Sequence, residues 1–138
     1  MDNNIRCVLV KPHMKPKIIK IGNNTGSFRS CIGGSYCILH VPELGNRIGL
    51  IIREEGKVFT PEKNRPLFDE SGKLCGCIYG NYFAVGMEDE VFRSLTDKEL
   101  IQVTRLYEQP YQIMIDEHDK HFVACIPEQP RDSEAESC

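Results

Sequence analysis

The segment SLTDKELIQVTRLYEQP, residues 94–110, contains the clearest helix pattern in the chain. Thr96 and Glu99 have the spacing of a capping box, in which a hydroxyl and a carboxylate each accept a bond from an exposed backbone N–H group. The pattern predicts a helix that begins at Asp97 and ends before Pro110. Residues suited to a buried face recur at helical spacing, at Leu100, Ile101, Val103, Thr104 and Tyr107. We therefore expect one amphipathic helix that packs on another layer.

Strand patterns dominate the rest of the chain. Short runs rich in apolar residues are separated by Pro, Gly, Asn and Asp, which favour turns between strands. Residues 22–34, GNNTGSFRSCIGG, predict an irregular segment with one helical turn around Phe28, and residues 60–66 predict a polar loop. The strand runs lie at 5–10, 17–21, 35–41, 46–52, 74–86, 111–115 and 121–126. The expected class is α+β, a largely antiparallel sheet covered by one main amphipathic helix, with a C-terminal β-hairpin.

The length of 138 residues fits one domain, because two independent cores would each be small enough to have marginal stability. We assign residues 1–127 to a single α+β domain. Residues 128–138, EQPRDSEAESC, are almost entirely polar and predict a disordered acidic tail.

The formal net charge of −3 hides an asymmetry along the chain. Residues 1–65 hold 11 Lys and Arg against 5 Asp and Glu, a charge of +6, whereas residues 66–138 hold 6 against 15, a charge of −9. The chain as a whole is acidic and has no Trp, so we do not expect general nucleic-acid binding despite basic residues near the N-terminus. The asymmetry favours a homo-oligomer or a localised anion site.

The seven cysteines and the lack of membrane-spanning segments favour a location in the cytosol. The N-terminus has no apolar core of signal-peptide length, and no run approaches the ~20 apolar residues that span a bilayer. We expect a protein of the host cytosol with reduced thiols that act mainly as small core residues. His118, His121, Cys125, Cys75 and Cys77 supply metal-ligand atoms but not two ligand pairs at zinc-knuckle spacing, so neither a metal nor another cofactor is expected.

Several turn-rich motifs occur in an order that resembles a small domain family of unknown function. They are IGGSY at 32–36, REEGK at 53–57, NRPL at 64–67, GNYFAVG at 80–86 and FRSLTDKE at 92–99, so that the likeness covers roughly residues 32–105. Members of that family occur in Gram-positive bacteria, their phages and mobile elements. The resemblance implies a helix just before the paired glycines and an accessory protein of a phage or mobile element.

Three groups of residues are candidates for ligand binding. Asn64 and Arg65 lie in a polar segment, where a guanidinium can hold a carboxylate or phosphate through two parallel hydrogen bonds. The alternative is that Asn64 shapes a turn and Arg65 pairs with a nearby Glu. Gly33 and Gly34 would allow backbone N–H groups to approach an anion, although a strained turn explains them as well. An aromatic face could come from Tyr36, Tyr79, Tyr82 or Phe83.

The leading hypothesis is a non-enzymatic phage or mobile-element protein that binds and sequesters a small anionic, nucleotide-derived host signal. It is motivated by the resemblance, by the lack of a recognisable catalytic motif, and by loops that contain Gly and Arg, whose chemistry suits a phosphate. The alternative is an acidic protein that inhibits a host defence nuclease by mimicking nucleic acid. A third possibility is a hydrolase that uses a cysteine or a bound metal, for which no local motif places a base beside a thiol.

Overall fold

The structure is a computed structural model that describes residues 3–59, 62–109, 112–115 and 121–125. It has the expected α+β class with antiparallel strand pairing. The strands are β1 (Asn4–Val10), β2 (Lys17–Gly22), β3 (Tyr36–Leu39), β4 (Ile48–Arg53), β5 (Lys63–Phe68), β6 (Leu74–Tyr79), β7 (Tyr82–Glu88), β8 (Val91–Arg93), β9 (Gln112–Ile115) and β10 (His121–Cys125). The helices are α1 (Thr25–Ile32), α2 (Gly56–Phe59) and α3 (Asp97–Leu106).

The largest sheet has the strand order β2-β1-β7-β4-β3, and β8 also pairs with β7. Its central strand, β7, is buried on both faces. Successive side chains of a strand point to opposite sides of the sheet, so β7 contributes to the packing on each side. Tyr82 and Ala84 join one apolar cluster, whereas Phe83 and Val85 join another on the opposite face. The sheet is therefore the middle layer of the molecule.

Helix α1 covers one face and corrects the expectation of an irregular segment at 22–34. The side chain of Asn24 caps its start by accepting a bond from the Ser27 N–H at 2.8 Å, and Gly33 ends it in the left-handed region with φ 89°. Phe28 packs in the centre of an aromatic cluster on the sheet, with the rings of Tyr36, Phe83 and Phe92 within 5.5 Å of its own. The sequence of α1 is largely polar and favours a helix only weakly. Packing of the Phe28 ring on the sheet therefore stabilises this helix.

Helix α3 lies over the other face and begins at Asp97, as the capping box predicts. Both bonds of the box are present: the Glu99 N–H donates to the Thr96 hydroxyl, and the Thr96 N–H donates to the Glu99 carboxylate. Leu100, Val103 and Tyr107 are buried against the cluster that contains Tyr82. The two faces thus carry two helices, one each, instead of one main helix.

The strands outside the large sheet form two further pairs. Strands β5 and β6 pair antiparallel, and β5 includes residues 63–66, which the sequence predicts as loop. Pro66 is tolerated there because β5 pairs with a strand on one side only among the described residues. Strands β9 and β10 also pair antiparallel, but residues 116–120 between them and the predicted tail 128–138 lie outside the described residues.

The turn between β7 and β8 yields a stability prediction. Asp89 and Glu90 form a two-residue loop in which both φ angles are positive, 52° and 64°. Such loops favour Gly at the second position, because a left-handed conformation is strained for residues with a Cβ. Glu90→Gly should raise the free energy of unfolding by about 0.5–1 kcal/mol in urea denaturation.

Glu70→Gly is the matched control, since Glu70 is also exposed in a turn but does not have a positive φ. This control should leave the stability unchanged or slightly lower. If both variants lose stability equally, Glu90 carries no backbone strain.

Candidate functional site

The residue pair Asn64 and Arg65 lies in the interior, 1% and 0% exposed. The Asn64 amide donates to the carbonyls of Val10 at 3.0 Å and Gly80 at 2.7 Å. It therefore links the end of β1 to the turn between β6 and β7.

The Arg65 guanidinium donates to two other parts of the fold and to the neighbouring side chain on β5. Nε and Nη2 donate to the Tyr107 carbonyl at 3.3 and 2.9 Å, Nη2 also donates to the Met14 carbonyl at 2.6 Å, and Nη1 donates to Asn64 Oδ1 at 2.8 Å. Tyr107 is the C-cap of α3, where a cation is favoured by the helix dipole. We name Asn64 and Arg65 the polar node.

The space beside the polar node is too small for a nucleotide. A cavity of about 60 Å³ is lined by Arg65, Leu67, Tyr107 and neighbouring residues. That volume holds about two water molecules and lies far below the roughly 300 Å³ at which ligand pockets begin. An anion held by Arg65 would also have to displace the backbone carbonyls that it binds.

Two of the aromatic candidates are fully buried on opposite faces of the sheet. The ring of Tyr82 meets that of Tyr107 edge to face, with the centroids 5.4 Å apart. Phe83 packs in the same way against Phe28 at 5.1 Å. Both rings belong to the core of this conformation, so neither offers a face to a ligand.

Gly33 and Gly34 close the end of α1. Their N–H groups both donate to the Arg29 carbonyl, at 2.7 and 3.0 Å, so these groups are already bonded. The left-handed φ of Gly33 is a backbone conformation that commonly ends a helix and that glycine adopts without strain. This geometry agrees with the turn interpretation of the glycine pair.

The side chain of Arg53, at the end of β4, lies beside the glycine pair. Its guanidinium lies against Gly34 so closely that a Cβ on this glycine would meet three guanidinium atoms at 2.9 Å. Tyr36 is its cross-strand partner on β3. Three predicted site residues, Gly33, Gly34 and Tyr36, therefore come together around an arginine that was not among the candidate site residues.

Arg53 also lines a groove between the β3–β4 edge of the large sheet and strand β6. The groove has a volume of about 260 Å³, slightly below the usual range of small-molecule sites. Its walls combine apolar side chains, two thiols, a tyrosine and a carboxylate. The lining residues are Cys37, Ile52, Arg53, Glu55, Gly56, Leu67, Cys77, Ile78 and Tyr79. We name this feature the Arg53 groove.

Burial raises the pKa of two weak acids in the groove, Cys37 and Tyr79. It raises the pKa of the Cys37 thiol, with a further rise from the charge of Glu54. Burial also raises the pKa of Tyr79 to about 12, assisted by a hydrogen bond with Cys77. Among the described side chains that line the groove, the formal charges are therefore one cation, Arg53, and one carboxylate, Glu55.

Two further observations concern metals and membranes. Across residues 3–59 and 62–109, no three His, Cys, Asp or Glu side chains are grouped as a metal ion would require. None of the helices that the structure describes is long and apolar enough to cross a bilayer.

The fold and the groove define a small α+β domain with a cleft of about 260 Å³ at the edge of an antiparallel sheet. The chain belongs to the family called domain of unknown function DUF3846, whose model matches residues 5–109. The expected resemblance to a small family of unknown function is confirmed, and the match extends further towards the N-terminus than residue 32. No curated protein and no solved structure gave a significant match.

The polar node yields a prediction that separates a structural role from ligand binding. Arg65→Lys keeps the charge but loses the planar fork, so that several carbonyls lose their donors in the interior. The free energy of unfolding should fall by about 2–4 kcal/mol, measured by urea denaturation.

Arg105→Lys is the matched control, because Arg105 is exposed on α3, and this change should shift stability by less than about 0.5 kcal/mol. Wild-type stability in Arg65→Lys would mean that the hydrogen bonds of Arg65 do not hold the fold together.

Proposed function

We propose that this protein is a non-enzymatic binding protein that takes up a small, nucleotide-like anion in the Arg53 groove. One observation carries the proposal: Arg53 lies where the glycine pair and the groove meet, so its guanidinium stands beside a cleft with a tyrosine and a carboxylate. We therefore assign the predicted anion-binding role to Arg53 instead of Arg65.

The groove chemistry suits a nucleotide better than a simple anion. A guanidinium binds phosphate through two parallel hydrogen bonds, and a tyrosine ring offers a face to a base. Glu55 can accept hydrogen bonds from a ribose hydroxyl or a base N–H group, whereas it would repel a free phosphate. A ligand with both a phosphate and hydrogen-bond donors thus matches both charges of the groove.

Capture without turnover is consistent with the groove's weak acids. The thiolate is the nucleophilic form of a cysteine, and burial raises the pKa of the Cys37 thiol, which disfavours that form. No histidine lines the groove as described. We infer stoichiometric sequestration, which requires complementary groups but no general base.

The biological setting is part of the same proposal. We propose that the protein is an accessory of a phage or mobile element, that it acts in the host cytosol as a homo-oligomer, and that it removes a nucleotide-derived signal of host defence. The family resemblance and the charge asymmetry of the chain support this setting. An inhibitor that blocks a defence nuclease by its acidic surface would instead bind a basic protein and no nucleotide.

Arg53→Ala tests the site. AMP and GMP, titrated by calorimetry, should bind the wild-type protein more tightly than inorganic phosphate does. The variant should lose about tenfold to a hundredfold in nucleotide affinity, because a hydrogen bond to a charged group contributes about 1.5–3 kcal/mol.

Arg47→Ala is the control, since Arg47 is an exposed arginine that pairs with Glu88 outside the groove. It should bind like the wild type. Mass spectrometry of the released ligand should show an intact nucleotide. Hydrolysed product would contradict the non-enzymatic role, and equal loss in both variants would exclude the Arg53 groove.

A further inference from the structure

Strand β2, Lys17–Gly22, is the end strand of the large sheet. It pairs with β1 on one side, from Lys17 opposite Leu9 to Gly22 opposite Asn4. No strand within the described ranges pairs with its other side. An end strand presents a row of backbone N–H and C=O groups on which another extended chain can form hydrogen bonds.

This edge is strongly basic. Lys11, Lys15, Lys17 and Lys20 are all exposed in the β1–β2 hairpin. No carboxylate of the described side chains lies within ion-pair distance of these four lysines. Arg6, opposite Lys20 on β1, differs because it pairs with Asp97 at 2.9 Å. The hairpin therefore carries a concentrated positive charge that none of the described carboxylates neutralises by an ion pair.

An apolar side chain interrupts the charge in the middle of the strand. Ile18 is 52% exposed, although the neighbouring Ile19 packs against the cluster on the α1 side. The cross-strand partner of Ile18 is Val8, a buried residue of the cluster below α3. Ile18 thus extends an apolar face to the open edge, where an added strand could bury it.

Lysines on an edge strand also hinder aggregation, because two such edges repel each other. The same repulsion makes a second copy of this edge a poor partner and an acidic chain a good one. We propose that the outer edge of β2 is a docking site for an extended acidic segment of a partner protein. The partner's segment would add to the sheet as a further strand beside β2. Its carboxylates would lie near the lysines, and one of its apolar side chains would pack against Ile18.

The probe is the heptapeptide Glu-Val-Glu-Val-Glu-Val-Glu, blocked at both ends and labelled for fluorescence anisotropy. It should bind the full-length protein with a salt-dependent affinity. The same peptide methylated on alternate backbone nitrogens keeps its charge but loses strand hydrogen bonds, so it should bind at least about tenfold more weakly. A peptide with Lys in place of Glu should not bind.

Lys17→Glu should weaken peptide binding at least about tenfold. Lys73→Glu is the control with the same charge change, because Lys73 is exposed in the β5–β6 turn, and it should bind like the wild type. Circular dichroism and urea denaturation would verify that both variants are folded.

Three results would overturn the proposal. Equal binding of the methylated and unmethylated peptides would mean charge attraction without strand addition. Preference for a single-stranded oligonucleotide over the acidic peptide would assign the lysines to nucleic acid. No peptide binding at low salt would leave the lysines as a guard against aggregation. None of these results depends on nucleotide binding in the Arg53 groove.

Discussion

The burial of Arg65 constrains how the β1–β2 hairpin, β5 and α3 are placed relative to one another. A guanidinium has five N–H groups, and leaving any of them unbonded in the interior is costly, so the fold must bring acceptors to Arg65. It does so with the carbonyls of Met14 and Tyr107 and with the amide oxygen of Asn64. These acceptors come from the β1–β2 hairpin, the end of α3 and β5 itself. The polar node therefore joins elements far apart in sequence, at the edge of an otherwise apolar cluster.

This arrangement leaves both proposed binding sites at the outer strands of the large sheet. The central strand β7 is covered on both faces, and its aromatic residues are used in packing. A ligand or partner can reach the two outer strands of the large sheet instead. The β3 side offers the Arg53 groove, with one cation and one carboxylate, and the β2 side offers an open edge with exposed lysines. The two edges are the sites that we propose for different partners, a small molecule at the β3 side and an extended acidic chain at the β2 side.

Local patterns in the sequence were sufficient for some elements and insufficient for others. The start of α3 is predictable because the capping box of Thr96 and Glu99 lies within four residues. Helix α1 depends on Phe28 packing against rings from β3, β7 and β8, which no local window reveals. The interior position of Arg65 also depends on distant acceptors. The predicted glycine pair lies beside Arg53, but Arg53 became a candidate only through the close approach of its guanidinium to Gly34.

The central claim is that Asn64 and Arg65 act as one cooperative unit of the fold, and a double-mutant cycle tests it most directly. Asn64→Ala, Arg65→Met and the double variant would be compared with the wild type by urea denaturation. The 2.8 Å bond between the two side chains predicts a coupling energy of about 1 kcal/mol or more. Additive effects, within about 0.5 kcal/mol, would show that the two residues act independently and would contradict the account.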